Sequence, residues 1–168
     1  MVGFFAVQFM FNNPLTEQLS AFVRSIGIDV KSAILDGPTL FAGLDIQYGA
    51  VLVDESRLVH PGFLLHEAGH IAVHDPAIRM QPKISPTGGE ELAAMAWEYA
   101  ATVYLGLPME VVFHPGSYQG WGPSLGESFA DGRYIGVPLL QLHGMSFDAR
   151  QAAVRGVEPY PHMLRWLR

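Results

Sequence analysis

The chain has 168 residues, of which 49% are hydrophobic and 15% charged, with a net charge of −6 and no cysteine. This length and apolar fraction predict one globular domain over residues 1–168 and exclude intrinsic disorder. The ten basic residues are scattered through an acidic chain, so we expect no nucleic-acid binding by this chain alone. Without cysteine, a transition-metal site has to use His, Asp and Glu as ligands.

The first third of the sequence predicts a helix followed by short strands. The apolar stretch Val2–Phe11 lacks a basic start and is too short to span a membrane, so we expect buried structure in a cytoplasmic protein without membrane contact. Asn13 and Pro14 are typical of a helix start, and apolar residues at helical spacing continue to Gly27. From Thr39 to Val53, alternating apolar residues predict two or three short antiparallel strands.

Two longer helices are predicted next, at residues 61–74 and 90–105, because each stretch lacks internal proline and ends at glycine or proline. Glycine, proline and aromatic residues are dense between residues 109 and 138, which predicts an irregular cap segment over the core or over a cleft. Shorter helical pieces follow at residues 139–143, at 147–155 after Ser146 as N-cap, and at 161–167.

A metal-binding motif lies within the first of the two longer helices. His66, Glu67 and His70 form the pattern HExxH, whose two histidines project from one helix face and can bind the same zinc ion. Glu67 lies beside them, where it can hold and deprotonate a zinc-bound water whose pKa is lowered to about 7. The flanking residues are nearly all apolar, so burying these side chains without a function would be costly. We therefore predict a zinc site with Glu67 as the catalytic base.

A catalytic zinc takes three protein ligands, so one more residue is needed. His74 lies about 12 Å along the helix axis from His66, which is too far for one ion, and we expect it to lie at the helix C-terminus instead. In the second helix, Glu98 is the only charged residue between Leu92 and Leu105, and such a carboxylate is expected to be paired or metal-bound. Glu98 is therefore favoured as the third ligand, and Glu91, one heptad earlier on the same face, is the alternative.

Residues 40–108 together resemble the ImmA/IrrE-type metallopeptidases. The resemblance rests on Ala50–Asp54, on the sequence FLLHEAGHIAVH at 63–74, and on a glutamate 28 residues after His70 in an alanine-rich helix. It implies a small α+β metallopeptidase domain, with a short antiparallel sheet packed against the HExxH helix and further helices. It also implies that His66, His70 and Glu98 bind zinc, that Glu67 is the general base, and that the substrate is a regulatory protein or peptide.

Two functions stay open after the sequence is read. The first is a zinc-dependent peptidase, whose target recognition is expected from the cap segment or from a separate regulatory partner. The second is a metal-containing but non-proteolytic interaction module, in which the cap segment covers the site and changes around Trp121 have the larger effect. For the peptidase, the candidate donors to an oxyanion are Tyr104, His114, Tyr118, Tyr134, His143 and His162.

Overall fold

A computed structural model describes residues 9–168, which form six helices and three strands in an α+β fold. The elements are α1 Pro14–Ser25, β1 Asp29–Ser32, β2 Leu44–Gln47, β3 Ala50–Val53, α2 Phe63–Val73, α3 Gly88–Tyr104, α4 Gly122–Ala130, α5 Val137–Leu142 and α6 Ala149–Arg155. Short 3-10 turns lie at Met109–Val111 and Tyr118–Gly120. Within this described part of the chain, no helix has the length and apolar character needed to cross a membrane.

The N-terminal helix begins where the sequence predicts. The Asn13 side chain accepts hydrogen bonds from two backbone N–H groups of the first turn, at 2.9 and 3.1 Å, and thereby caps α1. The predicted buried segment Val2–Phe11 falls largely outside the described residues. Of its last three residues, Phe9 and Met10 are exposed and Phe11 is buried, so the prediction of burial is wrong for the first two.

The sheet is mixed, which corrects the antiparallel sheet predicted from the sequence. Its strands lie in the order β1-β3-β2, with β2 antiparallel and β1 parallel to the central β3. Tyr48 and Gly49 close the β2-β3 hairpin with φ values of 50° and 72°, as a two-residue type I′ turn requires. The sequence pattern does not predict β1, because Val30 is the only buried residue among its four and no alternation of apolar residues marks it.

Helix α2, which carries the HExxH motif, is buried at all of its eleven positions. It packs against α1, β2, β3 and α3. The contact with α3 is close at Gly69. A Cβ atom at Gly69 would lie only 3.2 Å from the carbonyl oxygen of Ala94 and 3.3 Å from the Trp97 ring. The glycine therefore allows α3 to lie near enough for its glutamates to meet the histidines of α2.

The C-terminal end of α2 meets the N-terminal end of α3. His74 ends α2, as predicted, and its Nδ1 lies 3.1 Å from a carboxylate oxygen of Glu90. The same glutamate forms a capping box with Thr87, at the start of α3. His74 is thus engaged at the opposite end of the helix from His66, in keeping with its exclusion as a third ligand.

The last third of the chain departs from the sequence prediction at three places. The cap segment, residues 109–138, contains α4 and is therefore less irregular than predicted. Asp148, not Ser146, caps α6 by accepting a hydrogen bond from the Gln151 N–H at 2.8 Å. The Ser146 hydroxyl is buried and instead donates to the His162 carbonyl oxygen at 2.6 Å. No helix forms at residues 161–167 of the described chain.

Candidate metal centre

Two histidines of α2 and one glutamate of α3 point their side chains at a common centre. The Nε2 atoms of His66 and His70 are 2.9 Å apart. The two oxygens of Glu91 lie 3.4 Å from His66 Nε2 and 3.1 Å from His70 Nε2. One atom from each residue can be chosen so that all three lie within 4.8 Å of one another. We call these three residues the His-His-Glu cluster.

The His-His-Glu cluster has a donor set and a spacing that could hold a metal ion. Two imidazoles and one carboxylate are a common ligand set of catalytic zinc sites. In a tetrahedral site with bonds of about 2.0–2.1 Å, ligand atoms lie about 3.3 Å apart. In the cluster the two Nε2 atoms are 2.9 Å apart, one Glu91 oxygen lies 3.4 Å from His66 Nε2 and the other lies 3.1 Å from His70 Nε2. The histidines are buried, whereas 37% of the Glu91 side chain is exposed. The residues therefore fit a metal that faces solvent on the Glu91 side.

Glu98, which the sequence favours as third ligand, lies on the other side of the His66 ring. Its oxygen accepts a hydrogen bond from His66 Nδ1 at 3.0 Å and another from the Tyr118 hydroxyl. This contact fixes the ring orientation and leaves Nε2 free to face the cluster. The third residue that the geometry places with the two histidines is thus Glu91, the alternative that the sequence left open, while Glu98 orients the His66 ring.

The two histidines differ in the hydrogen bonds made by their Nδ1 atoms. His66 Nδ1 contacts both Glu98 and the Tyr118 hydroxyl, the latter at 2.9 Å. His70 Nδ1 is buried and has no hydrogen-bond partner among residues 9–168. A carboxylate that contacts the second ring nitrogen, and so orients the ring, is therefore present for His66 but not for His70 among the described residues.

Burial and nearby charges shift the acid–base behaviour of two residues of the motif. Burial alone lowers the pKa of His66, but the negative charges of Glu98, Glu67 and Glu91 outweigh it and raise the pKa to about 9. Burial raises the pKa of Glu67, and the positive charges of His66 and His70 offset part of that rise. Without a metal, His66 is therefore protonated at neutral pH, and Glu67 is a stronger proton acceptor than an exposed glutamate.

The raised pKa of His66 predicts opposite pH trends with and without metal. In the metal-free protein, the charged ring stabilises the fold fully below its ordinary pKa of 6.5, and this stabilisation is lost as the pH rises through about 9. Zinc has to displace the proton, so its apparent affinity should rise about tenfold per pH unit. Thermal unfolding of the metal-free protein and zinc titrations, both between about pH 6 and 8, measure the two trends. A zinc affinity independent of pH would contradict the assignment of His66 as a ligand.

The backbone that brings Tyr118 to Glu98 is strained. Tyr118 and Gln119 are consecutive non-glycine residues with φ values of 51° and 54°. A residue with a Cβ atom resists this left-handed conformation, at a cost of roughly 1–2 kcal/mol. Strain of this kind is maintained by surrounding contacts and is found most often at ligand sites.

Replacing Gln119 by glycine is expected to raise the free energy of unfolding by about 0.5–1 kcal/mol, because the relieved strain exceeds the entropy that glycine adds to the unfolded chain. Gln18→Gly is the matched control, since Gln18 is exposed in the interior of α1, where glycine should lower stability by about 1 kcal/mol. Urea denaturation measures both values. A loss of stability in Gln119→Gly similar to that in Gln18→Gly would show that position 119 is not strained.

The His-His-Glu cluster lies in a cavity of about 550 Å³, which we call the site cavity. Among the six oxyanion candidates, Tyr118 lines it, although its hydroxyl already donates to Glu98. His60 also lines the cavity and was not singled out by sequence, where its only signal is its position just before Pro61. Its ring stacks on that of His114, with centroids 4.1 Å apart.

Glu67 reaches the same region from the side of the sheet. It is buried and lines a smaller recess of about 190 Å³, together with His70 and the β2 residue Asp45. Asp45 pairs there with Lys83 at 2.6 Å. The recess and the site cavity share Leu40, His70 and Pro86 among their lining residues, so Glu67 lines a space that adjoins the cluster at His70.

Comparison of the chain with family models, with curated proteins and with solved structures found no match. The resemblance to ImmA/IrrE-type metallopeptidases therefore stays an expectation from the motifs of residues 40–108. Any functional assignment has to depend on the chemistry of the His-His-Glu cluster and the residues around it.

Proposed function

We propose that this protein is a zinc-dependent peptidase, with His66, His70 and Glu91 holding the metal and Glu67 acting as general base. The observation that carries the proposal is the convergence of two imidazoles and one carboxylate in an open cavity beside a buried glutamate. Bound zinc would supply the Lewis acid that polarises a peptide carbonyl and makes water acidic. In this proposal Glu91 has the ligand role for which the sequence favoured Glu98.

Glu67 moves the proton in this proposal. It accepts a proton as water attacks the carbonyl carbon and returns one to the leaving amine nitrogen, so that a carbon–oxygen bond replaces the carbon–nitrogen bond. Its raised pKa supports this role, because a carboxylate with a higher pKa takes up a proton more readily. Before this proton transfer, Glu98 and Tyr118 hold His66 in the orientation in which Nε2 faces the cluster.

The substrate we propose is a peptide segment of a regulatory protein, as the motif resemblance implies, and the place of action we propose is the cytoplasm. The alternative, a non-proteolytic interaction module, is favoured by one observation, the 70% exposure of Trp121 on the cap segment. That alternative predicts a cap segment that covers the site. The cavity and the exposure of the Glu91 side chain support access for a substrate instead.

Metal content and cleavage together test the proposal. Purified protein should hold one zinc per chain and should cut peptides in a mixed pool, as detected by mass spectrometry. A chelator should stop the cleavage and added zinc should restore it. His70→Ala should lose both properties, whereas His74→Ala should keep both, because His74 lies outside the cluster. Protein that binds zinc but cuts nothing in the pool would favour the interaction module.

A further inference from the structure

A groove of about 620 Å³ runs between α3 and the cap segment, next to the His-His-Glu cluster. We infer that this groove binds one large apolar side chain of the peptide substrate, close to the bond that is cut. The inference rests on the proposed function for the position of that bond, but the binding can be measured without cleavage. We call it the apolar groove, and its apolar lining residues are Leu92, Met95, Trp121, Leu125 and Ile135.

The apolar groove and the site cavity share a wall. Glu91, Tyr118 and Gln119 line both spaces. Glu91, which lines the groove, has a carboxylate oxygen 3.1 Å from His70 Nε2. An extended peptide advances about 3.3 Å per residue, so a chain crossing the cluster reaches the groove within one or two residues. The groove is therefore placed to select a side chain beside the reacting carbonyl.

The lining of the groove is apolar and offers no free charge. Trp121, Leu92 and Ile135 are 70%, 42% and 41% exposed, and apolar surface gathered in one place commonly marks a binding site. Among the described residues that line the groove, Glu91 alone is charged, and its carboxylate faces the two histidines. A side chain such as Phe, Leu or Met fits this lining, whereas a charged one would lose its hydration without gaining a partner.

The shared wall also distinguishes a substrate side chain from other occupants. A second copy of the chain, or a helix of another protein, could cover apolar surface without approaching the His-His-Glu cluster. Such a contact would not require the groove to share Glu91 with the site cavity. The two strained residues, Tyr118 and Gln119, form this wall, and strained backbone is found most often where a ligand is held.

Peptide binding to zinc-loaded wild-type and Glu67→Gln protein tests the inference. The probes are three blocked glycine pentapeptides that differ only at the centre, with Phe, Ala or Asp. We expect the Phe peptide to bind at least about tenfold more tightly than the other two, as measured by calorimetry. Trp121→Ala should remove this preference. Leu142→Ala should keep it, because Leu142 is 74% exposed on α5 and lies outside the groove.

A second groove variant is needed in case Trp121→Ala loses binding because it does not fold. Ser124 lines the groove in the first turn of α4, where an aspartate is favourable to the helix. Ser124→Asp should therefore fold and still weaken binding of the Phe peptide.

Equal binding of all three peptides, or no effect of either groove variant, would overturn the inference even if the protein cleaves peptides. Loss of self-association in Trp121→Ala, seen by sedimentation with peptide binding unchanged, would also overturn it. A Phe preference that depends on Trp121, in a protein that cleaves nothing, would uphold the groove and reject the peptidase.

Discussion

Replacing Glu67 by glutamine is expected to lower the rate of peptide cleavage about 10²–10⁴-fold while zinc stays bound. The substitution keeps the size of the side chain and removes its ability to accept a proton. Glu67 is not part of the His-His-Glu cluster, so the affinity for zinc should change little. Cleavage is measured with the peptide pool, and zinc content by metal analysis of the same preparation.

The control for this prediction is Glu110→Gln, which removes an exposed carboxylate and should leave the cleavage rate unchanged. Loss of activity in Glu67→Gln together with loss of zinc would assign Glu67 a role in holding the site and not in proton transfer. Full activity in a zinc-loaded Glu67→Gln protein would reject the proposed mechanism.

Glu91→Gln and Glu98→Gln are expected to differ in their effect on zinc affinity. Removing an orienting carboxylate usually costs 10–100-fold in metal affinity, which is the loss we expect for Glu98→Gln. Glu91→Gln removes the charge of the proposed ligand, whose oxygen lies 3.1 Å from His70 Nε2, so the loss of zinc affinity should exceed 100-fold. Competition with a chromogenic chelator measures both affinities.

The order of the two effects decides between the two glutamates. Glu127→Gln serves as the control, because Glu127 is an exposed carboxylate of α4 and should have no influence on the affinity. A larger loss in Glu98→Gln than in Glu91→Gln would return Glu98 to the ligand role that the sequence favoured. Unfolding curves of each variant separate a change in affinity from a general loss of stability, since Glu98 is fully buried.

The choice between Glu91 and Glu98 shows where sequence reasoning reaches its limit. Seven residues apart, they share a helix face but differ by about 10.5 Å along the axis, so the crossing of α2 and α3 decides which one meets Nε2. The sequence favours Glu98 because its surroundings are the more apolar. Glu98 is indeed fully buried, whereas 37% of the Glu91 side chain is exposed.

Local signals predicted other parts of the fold well. The N-cap Asn13, the helix around the HExxH motif and the place of His74 at its end are all set by short-range chemistry. β1 has no such signal, because it depends on parallel pairing with β3, which lies about twenty residues further along the chain. Tyr118 reaches Glu98 through two left-handed non-glycine residues, and residue preferences do not predict a conformation that is held only by its surroundings.

The close contact at Gly69 also bears on the spacing of the His-His-Glu cluster. A methyl group there would have to displace the Ala94 backbone or the Trp97 ring by a few tenths of an ångström. Glu91 is on the same helix as Ala94, so its distance from the histidines would widen with that displacement. The glycine between the histidines thus permits the helix spacing on which the geometry of the His-His-Glu cluster depends.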